Sequence, residues 1–175
     1  MNVIGINGFG RIGRCFTRIA LNDNSIEIAL INDLSDISTL AHLLKYDSIH
    51  GTLNISFTIE GNTLHFENGK KIIFTQEKDP SQIPWGNSSV ETVIDCTGAF
   101  LTRDSASKHI RDSVKRVILS APANDTDIPT VVMGVNEKEI NLSDTIFSNA
   151  SCTTNCLAPM AKVLEEQFGI VTGLM

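Results

Sequence analysis

Val3-Ile4-Gly5-Ile6-Asn7-Gly8-Phe9-Gly10-Arg11-Ile12-Gly13, near the start of the chain, decides the fold. Its first four residues are β-rich and apolar, and from Gly8 the glycines spell G-x-G-x-x-G. Directly beyond, Ile12, Phe16, Ile19 and Ala20 recur at i, i+4, i+7 and i+8, the spacing of an apolar helix face. A second apolar run, Ile26 to Ile31, ends in Asn32-Asp33, so Asp33 stands twenty residues after Gly13. Strand, glycine turn, helix, strand and acid follow one another as they do in a β-α-β unit.

Each part of that unit has a physical use. Gly8 permits a tight turn, Gly10 lets a pyrophosphate approach the backbone, and Gly13 lets helix and strand pack closely. The free N–H groups of Arg11 and Ile12, at the positive end of the helix, are placed to bond phosphate oxygens. The Asp33 carboxylate is placed to accept hydrogen bonds from ribose hydroxyls. A glycine turn alone is often only structural; with the acid at this distance, the reading is dinucleotide binding. Asp33 would repel a 2′-phosphate, and Leu34 and Ser35 bring no arginine to receive one, so NAD is expected rather than NADP.

Working outward, Asp36 to Lys45 reads as a helix with Ile37, Leu40, Ala41 and Leu44 on one face, capped by Asp36 or Ser35. Leu53 to Ile59, Thr63 to Phe66 and Lys71 to Thr75 read as strands of a small antiparallel insert, separated by Gly61-Asn62 and Asn68-Gly69. Val90 to Cys96 is a further strand that runs into Thr97-Gly98-Ala99-Phe100 and then a helix over Thr102 to Asp112. In open α/β sheets ligands lie beyond the carboxyl ends of strands, so Thr97 and Gly98 are candidate cofactor contacts and Phe100 a candidate wall. Cys96 lies within the apolar run and reads as a packed thiol. Val117 to Ser120, Thr130 to Met133 and Thr145 to Phe147 are the remaining strands of this part. His42, His50, His65 and His109 carry no pattern that ties them to a nucleophile, and packing or surface roles are expected.

Composition narrows the function classes. With 42% hydrophobic and 19% charged residues the 175-residue chain is globular in character. A net charge of −6 argues against nucleic-acid binding, which needs clustered Lys and Arg. No apolar run approaches the ~18 residues of a membrane span, and no leader is visible ahead of Val3. The four cysteines show neither Cys-x-x-Cys nor zinc spacing, so no metal is expected and reduced thiols in a cytoplasmic setting are.

The second decisive stretch is Ser148-Asn149-Ala150-Ser151-Cys152-Thr153-Thr154-Asn155-Cys156. Leu157, Met160, Ala161, Leu164 and Phe168 then step at helical spacing, with Pro159 near the start, Gly169 as a stop and Ile170-Val171 opening a strand. Cys152 therefore heads a helix, where the dipole and free N–H groups favour a thiolate, and nearby hydroxyls can hold an anion. A lone cysteine is usually a small buried hydrophobe. At a helix start in a dinucleotide-binding chain, covalent chemistry on a carbonyl becomes the better reading.

These motifs, together with Asn32-Asp33-Leu34 and Leu44-Lys45-Tyr46-Asp47-Ser48, closely resemble the phosphorylating glyceraldehyde-3-phosphate dehydrogenase family along the whole chain. The resemblance implies that Cys152 is the nucleophile and that Arg11, Ile12, Asp33, Lys78, Thr97 and Ser120 contact NAD. Lys78 stands where many relatives carry Arg. Ser151 and Thr153 would hold glyceraldehyde 3-phosphate or inorganic phosphate, and the assembly would be a homotetramer. The implied chemistry passes from thiohemiacetal to thioester to acyl phosphate. Family members run to roughly twice this length, and their catalytic histidine follows a segment like Thr172-Gly173-Leu174-Met175. The expectation is thus an NAD-binding part without its base and inactive alone.

The architecture expected is α/β: a Rossmann-type, doubly wound, mostly parallel sheet with a small antiparallel insert over residues 1–150. Residues 151–175 would begin a truncated α+β catalytic domain, leaving the apolar face of the Cys152 helix uncovered. The rival readings are an erythrose-4-phosphate dehydrogenase and a stand-alone NAD-binding module without dehydrogenase activity.

Overall fold

The computed structural model describes residues 1–141 and 143–175. Strand β1 (Asn2–Asn7) leads through the glycine turn into α1 (Arg11–Ala20), and β2 (Ile26–Asn32) lies parallel to β1. Helix α2 (Ile37–Lys45) is capped by Asp36, whose side chain accepts from Thr39 N–H. There follow β3 (Tyr46–Asp47), β4 (Gly51–Thr52), β5 (Phe57–Glu60), β6 (Thr63–Phe66), β7 (Lys71–Thr75) and β8 (Thr92–Asp95). The remaining elements are α3 (Arg103–Ser107), β9 (Arg116–Leu119), β10 (Ile146–Ser148) and α4 (Cys152–Phe168).

Eight strands form one sheet in the order β10-β9-β8-β1-β2-β7-β6-β5, parallel from β10 to β7 and antiparallel from there outward. The chain winds outward from β1 through β2 to β7, then returns on the other side through β8, β9 and β10. This is the doubly wound arrangement, with its reversal of winding between β1 and β8. The antiparallel insert extends the parallel sheet: β7 pairs with β2 and carries the meander. The short β3–β4 hairpin, absent from the sequence expectation, is held by the Arg18 guanidinium, which donates to the carbonyls of Leu44, Lys45 and Gly51.

Pairing of β1 with β2 slips one residue at Ala29, so Ile4 faces Ile28 while Gly5 faces Leu30. This bulge turns Leu30 to one side of the sheet and Ile28 and Ile31 to the other, into two separate apolar clusters. Gly5 is a strand glycine with a packing reason: a β-carbon there would lie 2.4 Å from the buried Trp85 ring.

Several expectations are corrected. Of the expected α1 face, Ala20 is buried and Phe16 packs against the core, but Ile12 and Ile19 are exposed and Gly13 and Thr17 are buried in their stead. Close approach of the helix selects small side chains at Gly13 and Thr17, which rotates Ile12 and Ile19 outward. Helix α3 ends at Ser107 rather than Asp112, because the chain then turns to bury His109 completely. Thr130 to Met133 contributes only a bridge from Thr130 to Ser148; Val132 N–H donates to the Asn136 side chain instead of a neighbouring strand. Ile170-Val171 forms no strand, since no strand among the described residues lies alongside to pair with it. Helix α4 runs through Pro159 to Gly169, has no buried residue, and leaves Leu157, Met160, Leu164 and Phe168 exposed on its apolar face. No helix among the described residues is long and apolar enough to cross a membrane.

Candidate functional site

The carboxyl ends of β1, β2 and β8 open on a cleft of about 580 Å³. Asn7, Gly8, Gly10, Asn32, Asp33, Lys78, Thr97 and Phe100 are among the residues that line it. Gly8 takes φ +90°, and a β-carbon on it would meet the Thr97 backbone N at 2.9 Å, so the glycine turn and the turn after β8 abut. A β-carbon on Gly13 would lie 2.4 Å from the Gly8 carbonyl oxygen, which is how α1 comes down on the turn. At Gly10 a β-carbon would meet nothing within 4 Å: the residue faces open space at the head of α1. No side chain caps that helix end, so its first N–H groups remain available to a ligand.

Asp33 supports the turn as well as facing the cleft. Its Oδ2 accepts from Phe9 N–H at 2.7 Å and its Oδ1 from Ser35 N–H at 2.9 Å, leaving one lone pair on each oxygen free. Open glycine, uncapped helix end and a fixed carboxylate at the end of the second strand suit a dinucleotide's phosphates and ribose. The donor set fits NAD.

Not every expected residue gathers there. Gly8, Gly10, Asp33, Lys78 and Thr97 line the cleft, and Gly98, at φ +68°, follows directly in the same turn. Gly13 acts through packing alone. Arg11 turns its side chain to Asp47 at 3.2 Å, and Ile12 faces outward, so either would serve a phosphate only through its backbone N–H. Ser120 is outside the cleft lining and touches the Cys96 thiol. Burial pushes that thiol up to about 11, which keeps Cys96 protonated and inert near neutrality.

Sequence reasoning missed the floor of the cleft. Asn7, Asn32 and Asp95 each end an apolar parallel strand, and all three are buried. Asn32 donates to Asn7 Oδ1 at 2.9 Å, and Asn7 donates to Asp95 Oδ2 at 2.8 Å. The signal was available as a polar residue closing each strand.

Cys152 is exposed at the first position of α4, whose cap is Ser151: its hydroxyl accepts from Thr154 N–H at 3.0 Å. The turn into the helix is fixed by Ala150 in the left-handed region at φ 58°, whose N–H donates to Ser148 Oγ. Asn149 N–H donates to the Leu119 carbonyl, tying this turn to the end of β9. Ser151 and Thr153 hydroxyls lie 3.3 Å apart beside a hollow of about 270 Å³. Cys152 is not in the cleft lining, but it leaves the same sheet edge. Between β1 and β10 lie three strand steps, about 14 Å. The histidines are engaged elsewhere: His109 against Trp85 and Asp95, His65 near Glu60, and His42 against Tyr46, with His50 beside the β3–β4 hairpin. No cluster of three metal-ligating side chains occurs among the described residues.

Comparison with known proteins agrees with this geometry. Residues 2–103 match the family model described as glyceraldehyde 3-phosphate dehydrogenase, NAD binding domain, and residues 151–175 match the C-terminal domain of the same description. The chain is 54% identical to glyceraldehyde-3-phosphate dehydrogenase 1 of Bacillus cereus, over 100% of this chain and 52% of that protein. It is likewise 54% identical to the Geobacillus stearothermophilus enzyme, over 98% of this chain and 51% of the relative. The Trypanosoma brucei brucei protein named as cytosolic is 51% identical over the same shares, 98% and 51%. The chain thus spans about half the length of the curated relatives it matches.

Proposed function

Because this chain belongs to the glyceraldehyde-3-phosphate dehydrogenase family, we propose that Cys152 is the nucleophile of a phosphorylating aldehyde dehydrogenase whose NAD occupies the cleft at Gly10 and Asp33. Residues 1–150 form the NAD-binding part, and residues 151–175 open the catalytic part. The observation that carries the reading is that an open glycine turn, an acid lining the cleft and an exposed thiol all leave one edge of one sheet.

The roles follow from the residues present. Gly10 admits the pyrophosphate to the N–H groups of Arg11 and Ile12, Asp33 accepts from the adenosine ribose, and Lys78, Thr97, Gly98 and Ser120 complete the cofactor side. The chemistry that bound NAD supplies is acceptance of a hydride. Cys152 Sγ bonds the aldehyde carbon as a thiohemiacetal and stands as a thioester once that carbon is oxidised. An oxygen of inorganic phosphate then displaces the sulfur, giving an acyl phosphate and the free thiol. Ser151 and Thr153 hold the phosphate of glyceraldehyde 3-phosphate or the incoming inorganic phosphate. The assembly is a homotetramer and its setting the cytosol, as the name of the trypanosome relative has it for that protein.

Calorimetric titration of the 175-residue chain tests the cofactor half of this reading. NAD is expected to bind and NADP to bind at least about tenfold more weakly, because the 2′-phosphate meets the Asp33 carboxylate. Cys152→Ser should leave NAD affinity unchanged while removing covalent capture of the aldehyde, followed by mass spectrometry. Equal affinity for NAD and NADP would overturn the assignment of Asp33.

A further inference from the structure

The buried polar residues under the cleft form one continuous chain of hydrogen bonds, and Asp95 is its centre. Asp95 is 2% exposed and accepts four hydrogen bonds. Its Oδ2 takes Asn7 Nδ2 at 2.8 Å and lies 3.3 Å from His109 Nε2; its Oδ1 takes Thr97 N–H at 3.0 Å and the Thr97 hydroxyl at 2.6 Å. Trp85 Nε1–H points at His109 Nδ1 at 3.2 Å, so that nitrogen accepts and Nε2 carries the proton given to Asp95. From Asn7 the chain continues to Asn32, which is bonded in turn to Thr75 and to the Glu77 backbone.

We propose that Asp95 is a positioning residue for the dinucleotide: it locks the turn Thr97-Gly98-Ala99 against the end of β1, across the reversal of winding, and so sets the half of the cleft opposite Asp33. This rests on the cleft being the NAD site. The placement argues for it. Asp95 ends β8, immediately beside β1 at the point where an open α/β sheet takes its ligand. Thr97 uses its hydroxyl twice, donating to Asp95 and accepting from Ala99 N–H at 3.1 Å, so the turn's geometry is transmitted from the carboxylate. Asp95 itself is absent from the cleft lining, whereas Asn7 and Thr97, which it holds, are both in it. Each carboxylate oxygen faces two donors; an amide in the same place must turn its NH₂ toward one of those pairs.

Asp33 follows the end of β2, two strand steps across the sheet from β8, so the adenosine half of the cofactor should not sense this change. The experiment is titration of wild type and Asp95→Asn with NAD and separately with AMP, with thermal unfolding recorded for both proteins. The expected result is NAD affinity reduced about tenfold and AMP affinity unchanged within about twofold, as suits loss of one charge-assisted contact set. If Asp95→Asn does not fold, His109→Gln takes its place; this residue also lies outside the cleft lining and reaches it through Asp95 and through the edge of the Phe100 ring. A folded variant in which NAD and AMP weaken equally, or neither weakens, overturns the positioning role. A wild-type chain that binds AMP but not NAD overturns the NAD-site reading on which it rests.

Discussion

Exchanging two glycines three residues apart in sequence, Gly10 and Gly13, separates stability from binding. In Gly13→Ala the new methyl would lie 2.4 Å from the Gly8 carbonyl oxygen and 3.3 Å from Ile6 Cγ2. The first contact is to backbone, so α1 must lift off the turn. Overpacking of this kind costs about 1–3 kcal/mol, and because the obstacle is backbone the upper part of that range applies. Replacing a helical glycine by alanine returns about 1 kcal/mol of helix propensity. The net is a loss of about 2 kcal/mol, or about 4–8 °C in melting temperature for a chain of this size. Gly10→Ala differs: its φ of −70° suits any residue, and the methyl meets nothing within 4 Å. Only the weaker capping propensity of alanine acts there, about 1 kcal/mol or less. Yet the methyl points into the space a pyrophosphate must enter. Melting followed by circular dichroism, with NAD titration of each variant, gives the comparison. Gly10→Ala should melt within about 3 °C of wild type and bind NAD at least tenfold more weakly, on the order of a lost phosphate contact. A stable Gly13→Ala, or a Gly10→Ala that binds NAD normally, would refute the reasoning.

Alkylation of the native chain with iodoacetamide at about pH 8 should modify the exposed Cys152 and Cys156 well before Cys96, whose thiol burial holds at about 11; peptide mass mapping over time gives the order. Asp47 should make the β3–β4 hairpin acid-sensitive. The N–H groups of His50 and Ile49, with Arg11 beside them, hold its carboxyl down to about 2 against an ordinary 3.8. A depressed folded value means the contribution is complete above about pH 4 and fades as pH falls toward 2. Fluorescence of Tyr46, the single tyrosine, should report loosening in that window, and Asp47→Asn should abolish the transition.

Much of the fold was legible because backbone geometry leaves few options. A turn that requires φ +90° at Gly8 and a methyl-free contact at Gly13 writes itself as glycine, and an acid twenty residues on marks the second strand's end. The packed side of α1 is only half legible, Ala20 and Phe16 but not Ile12 and Ile19, for the same reason that the glycine is legible. Hydrophobic periodicity weights large residues, but a helix seated on a glycine packs through Gly13, Thr17 and Ala20. The bulge at Ala29 has no sequence signal of its own, and the glycine opposite it at Gly5 is explained only by Trp85, eighty residues away. Nor does a two-residue β-rich run such as Ile170-Val171 carry information about whether a partner strand lies beside it.

The acid shows where sequence reasoning stops. Spacing makes Asp33 the proposed ribose partner, and charge makes it an argument for NAD over NADP. Its oxygens, however, also hold Phe9 N–H inside the glycine turn and Ser35 N–H beyond β2. Turn geometry and the proposed cofactor preference therefore rest on one carboxylate. Removing it relieves the repulsion of a 2′-phosphate and at the same moment leaves the Phe9 amide without its acceptor, which slackens the loop that must hold either cofactor's pyrophosphate. Preference cannot then be reversed at Asp33 alone. A cation added nearby with Asp33 retained disturbs the preference and leaves the turn intact, whereas deletion of the acid weakens both cofactors together.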